Sequence, residues 1–302
     1  MTTGDAQHPG GDAMTQSPTM PPAAVSLQAP AAPAFRPSRF AAGWAVVLAA
    51  ALLLGPAAGW LVALLLGEDG GPAATVLVGQ SPIIGLLVGV GVGLLSIAAI
   101  GIGAWAVSVN VGLVAGGAVL AWAAARSGRV DDLAIASPNG PWQRLALEGI
   151  AWGLFVAGVC FVVWRVRPAS RERLRRSSRE SGRLVTSLIV GTAAAMAAAW
   201  LVAVEPAKGQ TLAAAVAAGI ACAVTARMVS VGVPRLVLLW IPVLLGAAMP
   251  LLAILLPGGD VLRLASLTPL DWIAGGLLGV PVGAAWTESV VERADPDERR
   301  TA

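Results

Sequence analysis

From residue 41 to residue 286 the sequence is a succession of apolar runs, most of them near the roughly 20 residues a helix needs to cross a hydrocarbon layer, separated by short polar breaks. A chain patterned this way has little choice of fold. Only 12% of its residues are charged, where a soluble domain carries about a quarter. Backbone N–H and C=O groups find no partners in lipid, so a spanning segment must satisfy them within itself or within a closed barrel. Barrel strands would be about 10 residues long and alternate in polarity, unlike these runs. The reading is an all-α polytopic membrane protein of about eight transmembrane helices.

The runs lie at 41–66, 83–125, 147–166, 184–204, 212–226, 236–256 and 269–286. The first carries Gly55-Pro56 near its middle, where the missing N–H of proline bends a helix. The second is far longer than one crossing, and Gly101, Gly103, Ser108 and Asn110 weaken it near 103–110. It divides there into two spans with a very tight turn, or into one span and a re-entrant segment. Residues 1–40 are rich in Pro, Ala, Gly, Thr and Gln, too poor in apolar surface to offset the entropy of ordering, and are expected to form a disordered tail. That tail lacks the basic region directly before a short apolar core that marks a secretory signal.

A motif occurs twice in the same order. Asp131, Leu133 and Ala136-Ser137 lead to Leu147-Glu148-Gly149-Ile150-Ala151, and Asp260, Leu262 and Ala265-Ser266 lead to Leu270-Asp271-Trp272-Ile273-Ala274. Matched order in a loop and the helix after it points to an internal duplication, hence two four-helix repeats at 41–166 and 184–287. Glu148 and Asp271 then occupy corresponding first turns near the outer interface. Two roles are open to them. A carboxylate in a first turn is favoured by free N–H groups and the helix dipole, and Thr268-Pro269-Leu270-Asp271 reads as a capping box. Alternatively, the pair lines an outer mouth that attracts cations.

Orientation follows the arginines. Arg165, Arg167, Arg171, Arg173, Arg175, Arg176, Arg179 and Arg183, against Glu172 and Glu180, mark the linker at 167–183 and its flanks as cytoplasmic. Arg36, Arg39, Arg227 and Arg235 agree, as does the mixed-charge tail at 288–302, so both termini are expected in the cytoplasm. The linker lacks the aromatics of a base-stacking surface, so anionic lipid headgroups rather than nucleic acid are its expected neighbours. Abundant Arg, Ala and Gly with the single lysine Lys208 suggest a bacterial cytoplasmic membrane.

Gly85, Gly89 and Gly93, and again Gly275, Gly279 and Gly283, line single helical faces that admit another helix at backbone distance, within the chain, in a partner or in a second copy. Ser96, Ser108, Asn110, Thr186, Ser187, Thr192 and Thr225 are expected to bond between helices. Trp60, Trp105, Trp122, Trp142, Trp164, Trp200, Trp272 and Trp286 fall near span ends, as interfacial belts do. The single histidine, His8, lies in the tail, and Cys160 and Cys222 sit in apolar runs. No metal site, cofactor or nucleophile–base pair can be assembled, and an enzyme is not expected. A permease-like protein built on the duplication is the first functional reading. A non-catalytic subunit or scaffold of a membrane complex is the alternative.

Overall fold

The computed structural model describes residues 37–137, 140–166, 181–230, 232–256 and 261–294. The expected tail before residue 37, Arg167, Arg171, Arg173, Arg175, Arg176 and Arg179 of the linker, Asp260 of the second motif and the chain after 294 lie outside them. Every regular element among the described residues is helical.

Helix α1 (Pro37–Ala49) continues through a π-helical turn (Ala50–Leu54) into α2 (Gly55–Ala63). The wide turn immediately precedes Pro56, where the pyrrolidine ring would crowd the preceding turn and no N–H is available. Gly55 is required here for another reason: a Cβ would lie 2.2 Å from the Trp122 ring. Helices α3 (Pro82–Ala106) and α4 (Val109–Arg126) follow, joined by Val107 and Ser108 alone, with the Ser108 hydroxyl accepting the Val111 N–H to cap α4. Two separate helices, each long and apolar enough to cross, therefore replace the ambiguity at 83–125. Gly103 does not break its helix. It meets Gly112 backbone to backbone, where a Cβ would come within 2.7 Å of the Gly112 Cα.

Short α5 (Val130–Ala136) precedes α6 (Trp142–Val166), and after the linker come α7 (Ser181–Val202), α8 (Lys208–Val229), the single turn α9 (Arg235–Leu238) and α10 (Trp240–Leu255). Short α11 (Val261–Ala265) then leads into α12 (Pro269–Ala294). Each copy of the repeated motif thus forms a short helix followed by a long one. Their surroundings differ. Leu147, Ile150 and Leu154 on α6 are exposed, whereas their counterparts Leu270, Ile273 and Leu277 on α12 are buried.

Among the described residues seven helical segments are long and apolar enough to cross a membrane, and α12 is not among them. Its position explains its composition. Every residue from 267 to 277 is buried, because α4, α6, α8 and α10 pack around it. A helix wrapped by protein can carry a buried acid such as Asp271, which lipid would disfavour. It runs beside α8 in the same direction, from Lys208 near Asp271 to Arg227 near Ala284. Contacts also cross between the two expected repeats, α4 on α12 and α6 on α10, and the described chain from Pro37 onward is one compact unit.

The two glycine faces are used within the chain. Gly275, Gly279 and Gly283 bring α12 to backbone distance of α8, with added Cβ atoms falling 2.4, 2.3 and 2.6 Å from Ala215, Val216 and Ile220. Gly85 and Gly89 face a loop rather than a helix: Val76 of the 64–81 segment lies on them, and only Gly93 meets a helix, at Phe155 of α6. All six glycines are buried except Gly89, which is half-buried. The polar residues of the spans also depart from expectation. Thr186, Ser187, Thr192 and Thr225 donate to carbonyls four residues back in their own helices, while Ser96 bonds across to the Gly116 carbonyl of α4. Trp272 is buried in the core rather than placed in an interfacial belt, whereas Trp60, Trp105 and Trp286 are exposed.

Candidate functional site

The Asp271 end of the bundle gathers both acids of the repeated motif. Glu148 is the seventh residue of α6, not in its first turn, because the helix begins at Trp142 rather than near Leu147. It is completely buried. Its Oε2 accepts the Thr75 hydroxyl at 2.6 Å and the Leu77 N–H at 3.1 Å, both from the loop that crosses the glycines of α3. Those glycines are what let the loop lie low enough to reach it. Glu148 Oε1 has no hydrogen-bond partner among the described residues. The Trp152 indole N–H, one turn on, acts on the same carboxylate but falls outside hydrogen-bond geometry and is itself unpartnered.

Asp271 is held differently. Its Oδ2 accepts the Thr268 N–H at 2.9 Å and the Thr268 hydroxyl at 2.8 Å, while the Asp271 N–H reaches the Thr268 hydroxyl oxygen at 3.2 Å. This is the reciprocal pattern of a capping box. The same Oδ2 also receives the Lys208 ammonium at 3.2 Å. Asp271 is completely buried and its Oδ1 is unpartnered.

Backbone packing brings the two acid-bearing helices onto α10. Gly149, next to Glu148, rests on Gly246 and Ala247 of α10, and a Cβ there would lie 2.6 Å from the Ala247 Cα. On its other side Gly246 meets Pro269 and Trp272, which bracket Asp271. One small-residue step on α10 therefore separates the helices carrying the acids. At the 64–81 loop a pocket of about 60 Å³ is lined by Leu64, Thr75, Gln80, Ser81 and Ile84, room for a few waters at roughly 10–15 Å³ each.

The remaining motif residues form the cover of this end. Ser137 donates to Glu68 at 2.9 Å, and Arg144 pairs with the same carboxylate. Asp131 and Asp132 lie near Arg129, and Val130, Leu133 and Leu145 pack with Val78 into a small apolar cluster. Ser266 bonds the Arg263 carbonyl of its own turn. Arg165 and Arg183, the linker arginines within the described residues, flank the opposite end, with Arg165 over the Phe161 ring.

Residue composition alone does not point to Thr75 or to Lys208. A signal for the lysine existed: a cation in the first turn of a helix opposes the helix dipole, so its presence there calls for an anionic partner. The far end holds a second polar group. Arg227 donates to the Ala284 carbonyl and pairs with Glu288, both at 2.9 Å; Arg235 pairs with Glu288 and donates to Asn110 at 2.6 Å. No group of three or more His, Cys, Asp or Glu able to hold a metal occurs among the described residues. No protein-family model, curated protein or solved structure matches the chain.

Proposed function

We propose that this integral membrane protein is a permease-type carrier of cationic solute, described here in a closed form, with Glu148 and Asp271 as its acidic site. One observation carries the reading: two completely buried carboxylates lie on helices from separate halves of the chain, Asp271 paired with Lys208 and Glu148 held by Thr75 and Leu77. Ionisable groups inside a membrane protein are costly and are kept where they serve a path or a ligand. Asp271 already pairs with Lys208, which leaves Glu148 as the carboxylate open to a further cation. Thr75, which bonds Glu148, also lines the loop pocket. The duplicated motif supports a common origin for the two acidic positions, and the arginine-rich linker supports a cytoplasmic location for both termini in a bacterial inner membrane. The reading is non-enzymatic: Thr75 and Thr268 serve as hydrogen-bond donors that hold the two carboxylates in place.

Flux into proteoliposomes tests it. Purified protein is expected to admit small monovalent or alkylammonium cations, and Glu148→Gln with Asp271→Asn to abolish that flux while the protein still folds. Equal flux through wild type and double variant would refute the carrier reading. The tight α8–α12 joint favours a second reading, a rigid non-catalytic subunit of a membrane complex. Recovery from mild detergent with stable, stoichiometric partners would support that alternative.

A further inference from the structure

We infer that the segment from Leu66 to Gln80 is a hinged lid seated on Glu148, and that its lifting opens that carboxylate to solution. Its use to admit a cation rests on the carrier reading; the lid itself does not.

The segment is closed at its neck, where the Gln80 N–H donates to the Leu66 carbonyl at 2.9 Å, so the chain leaves and returns at one point in the form of an Ω-loop. Its turns are held by its own bonds, from the Gly67 N–H to the Gly71 carbonyl at 2.7 Å and from the Thr75 N–H to the Val78 carbonyl at 2.8 Å. A piece tied within itself and narrow at the neck can swing as one body. The neck residues Leu66, Gly79 and Gln80 line the pocket of about 60 Å³ together with Thr75, so the hinge borders empty space. The underside, Ala74, Thr75, Val76 and Val78, is buried, while Asp69, Gly70 and Pro72 at the tip are exposed. An alanine and two valines bury little apolar surface, and segments with few such contacts open at a lower free energy than the core.

Polar ties hold the lid down. The Gly128 N–H donates to the Ala74 carbonyl at 2.6 Å, Glu68 pairs with Arg144 and accepts from Ser137, and Thr75 and Leu77 donate to Glu148 Oε2 at 2.6 and 3.1 Å. Arg144 and Glu148 are four residues apart and share one face of α6, so the lid is latched twice to the same helix. The two latches differ in strength. Arg144 is 44% exposed, and water competes for its pair, whereas the bonds to Glu148 are charge-assisted and buried. Seating also needs Gly85 and Gly89, where a Cβ would lie 1.8 Å from the Val76 carbonyl oxygen and 2.7 Å from Val76 Cγ1. The closed position is not fully satisfied. Glu148 Oε1 and the Trp152 indole N–H are buried without hydrogen-bond partners among the described residues, a cost that water can relieve once the lid lifts. Lifting also takes Thr75 and Leu77 off Oε2, which frees that oxygen for a ligand.

The full-length protein in detergent, carrying Cys160→Ala and Val76→Cys, provides the test. The introduced thiol lies on the underside of the lid, and Cys222, completely buried in α8, reports any unfolding of the bundle. A hydrophilic maleimide is expected to reach the introduced thiol while Cys222 stays unreacted. Arg144→Gln should speed that reaction by about two- to fivefold and Glu148→Gln by about tenfold, with no change at Cys222. Should Val76→Cys fail to fold, hydrogen exchange supplies the reading in a chain with its native lid: amides of the 66–80 segment should exchange faster than those of α8 and α12, and Arg144→Gln should speed the lid alone. Lid thiol and lid amides reacting only at the rate of the bundle, or no response to either latch variant, overturn the lid. Flux into proteoliposomes separates the two readings. Tying Glu68→Cys to Ser137→Cys with a short bifunctional thiol reagent, in a background of Cys160→Ala and Cys222→Ala, should stop cation entry. Undiminished flux past the tied lid overturns it as the way in and leaves the carrier, whereas a lid that lifts with no flux at all stands and removes the carrier reading.

Discussion

Lys208, the first residue of α8, and Asp271, the third of α12, are joined across 3.2 Å at the start of two helices that then run side by side. Each partner answers a deficit in the other. The ammonium is unfavourable at a helix N-terminus by itself, and the carboxylate is buried beyond the reach of water. Lys208→Met leaves that carboxylate without its cation and should destabilise the detergent-solubilised protein by about 3–5 kcal/mol. Lys208→Met with Asp271→Asn should recover much of the loss. A double variant no more stable than Lys208→Met would show that the pair is not energetically coupled.

Thr75 supplies the shorter of the two bonds to Glu148. Thr75→Val keeps the shape but removes the donor, and should cost about 1–3 kcal/mol because the carboxylate is fully buried. In a Glu148→Leu background, where no acceptor remains, the same change should cost clearly less. Equal costs in both backgrounds, read from thermal unfolding, would contradict the hydrogen bond.

Glycine-to-alanine substitutions should follow the space each site has. Gly279→Ala places a Cβ 2.3 Å from the Val216 carbonyl oxygen and Gly275→Ala places one 2.4 Å from Ala215, so each should destabilise by about 1–3 kcal/mol through overpacking. Gly182→Ala and Gly209→Ala meet nothing within 4 Å and should be neutral or slightly stabilising. Loss of folded protein on heating would rank the four, and indifference at Gly279 would mean that α8 and α12 stand further apart.

At the opposite end, Arg235 ties Asn110 of α4 to Glu288 of α12. Asn110→Ala and Arg235→Gln should therefore be non-additive, with a coupling of about 0.5–3 kcal/mol in a double-mutant cycle. Additivity within error would mean that this contact carries no energy.

Sidedness is testable by labelling in a background with Cys160→Ala and Cys222→Ala. Ser137 is buried against Glu68 and makes a poor probe, whereas Ile135 is 84% exposed and Glu205 is exposed on the same end. Cysteines at Ile135 and Glu205 should react with an impermeant thiol reagent from outside the cell, and one at Ser178 in the arginine-rich linker only after permeabilisation. Labelling of Ser178 in intact cells would reverse the orientation.

The sequence by itself determined whatever depends on neighbours within a turn or a run. Apolar runs fixed the helical membrane class, because lipid offers the backbone no partners and each helix must satisfy its own. The link between Thr268 and Asp271 was legible for the same reason: its residues are three apart and meet in any helix that starts there. Tertiary structure alone decided which helix would be central. Hydropathy ranks α12 below the others, since a helix is written apolar for lipid and α12 meets protein instead. It also decided the site. Thr75 and Glu148 are 73 residues apart and Lys208 and Asp271 are 63 apart, so no local period links them. They meet because Gly85 and Gly89 let a loop sink onto α3, and because Gly149 and Gly246 let α6, α10 and α12 close to backbone distance. A missing side chain is visible in a sequence, but which surface fills its place is settled only when the helices pack.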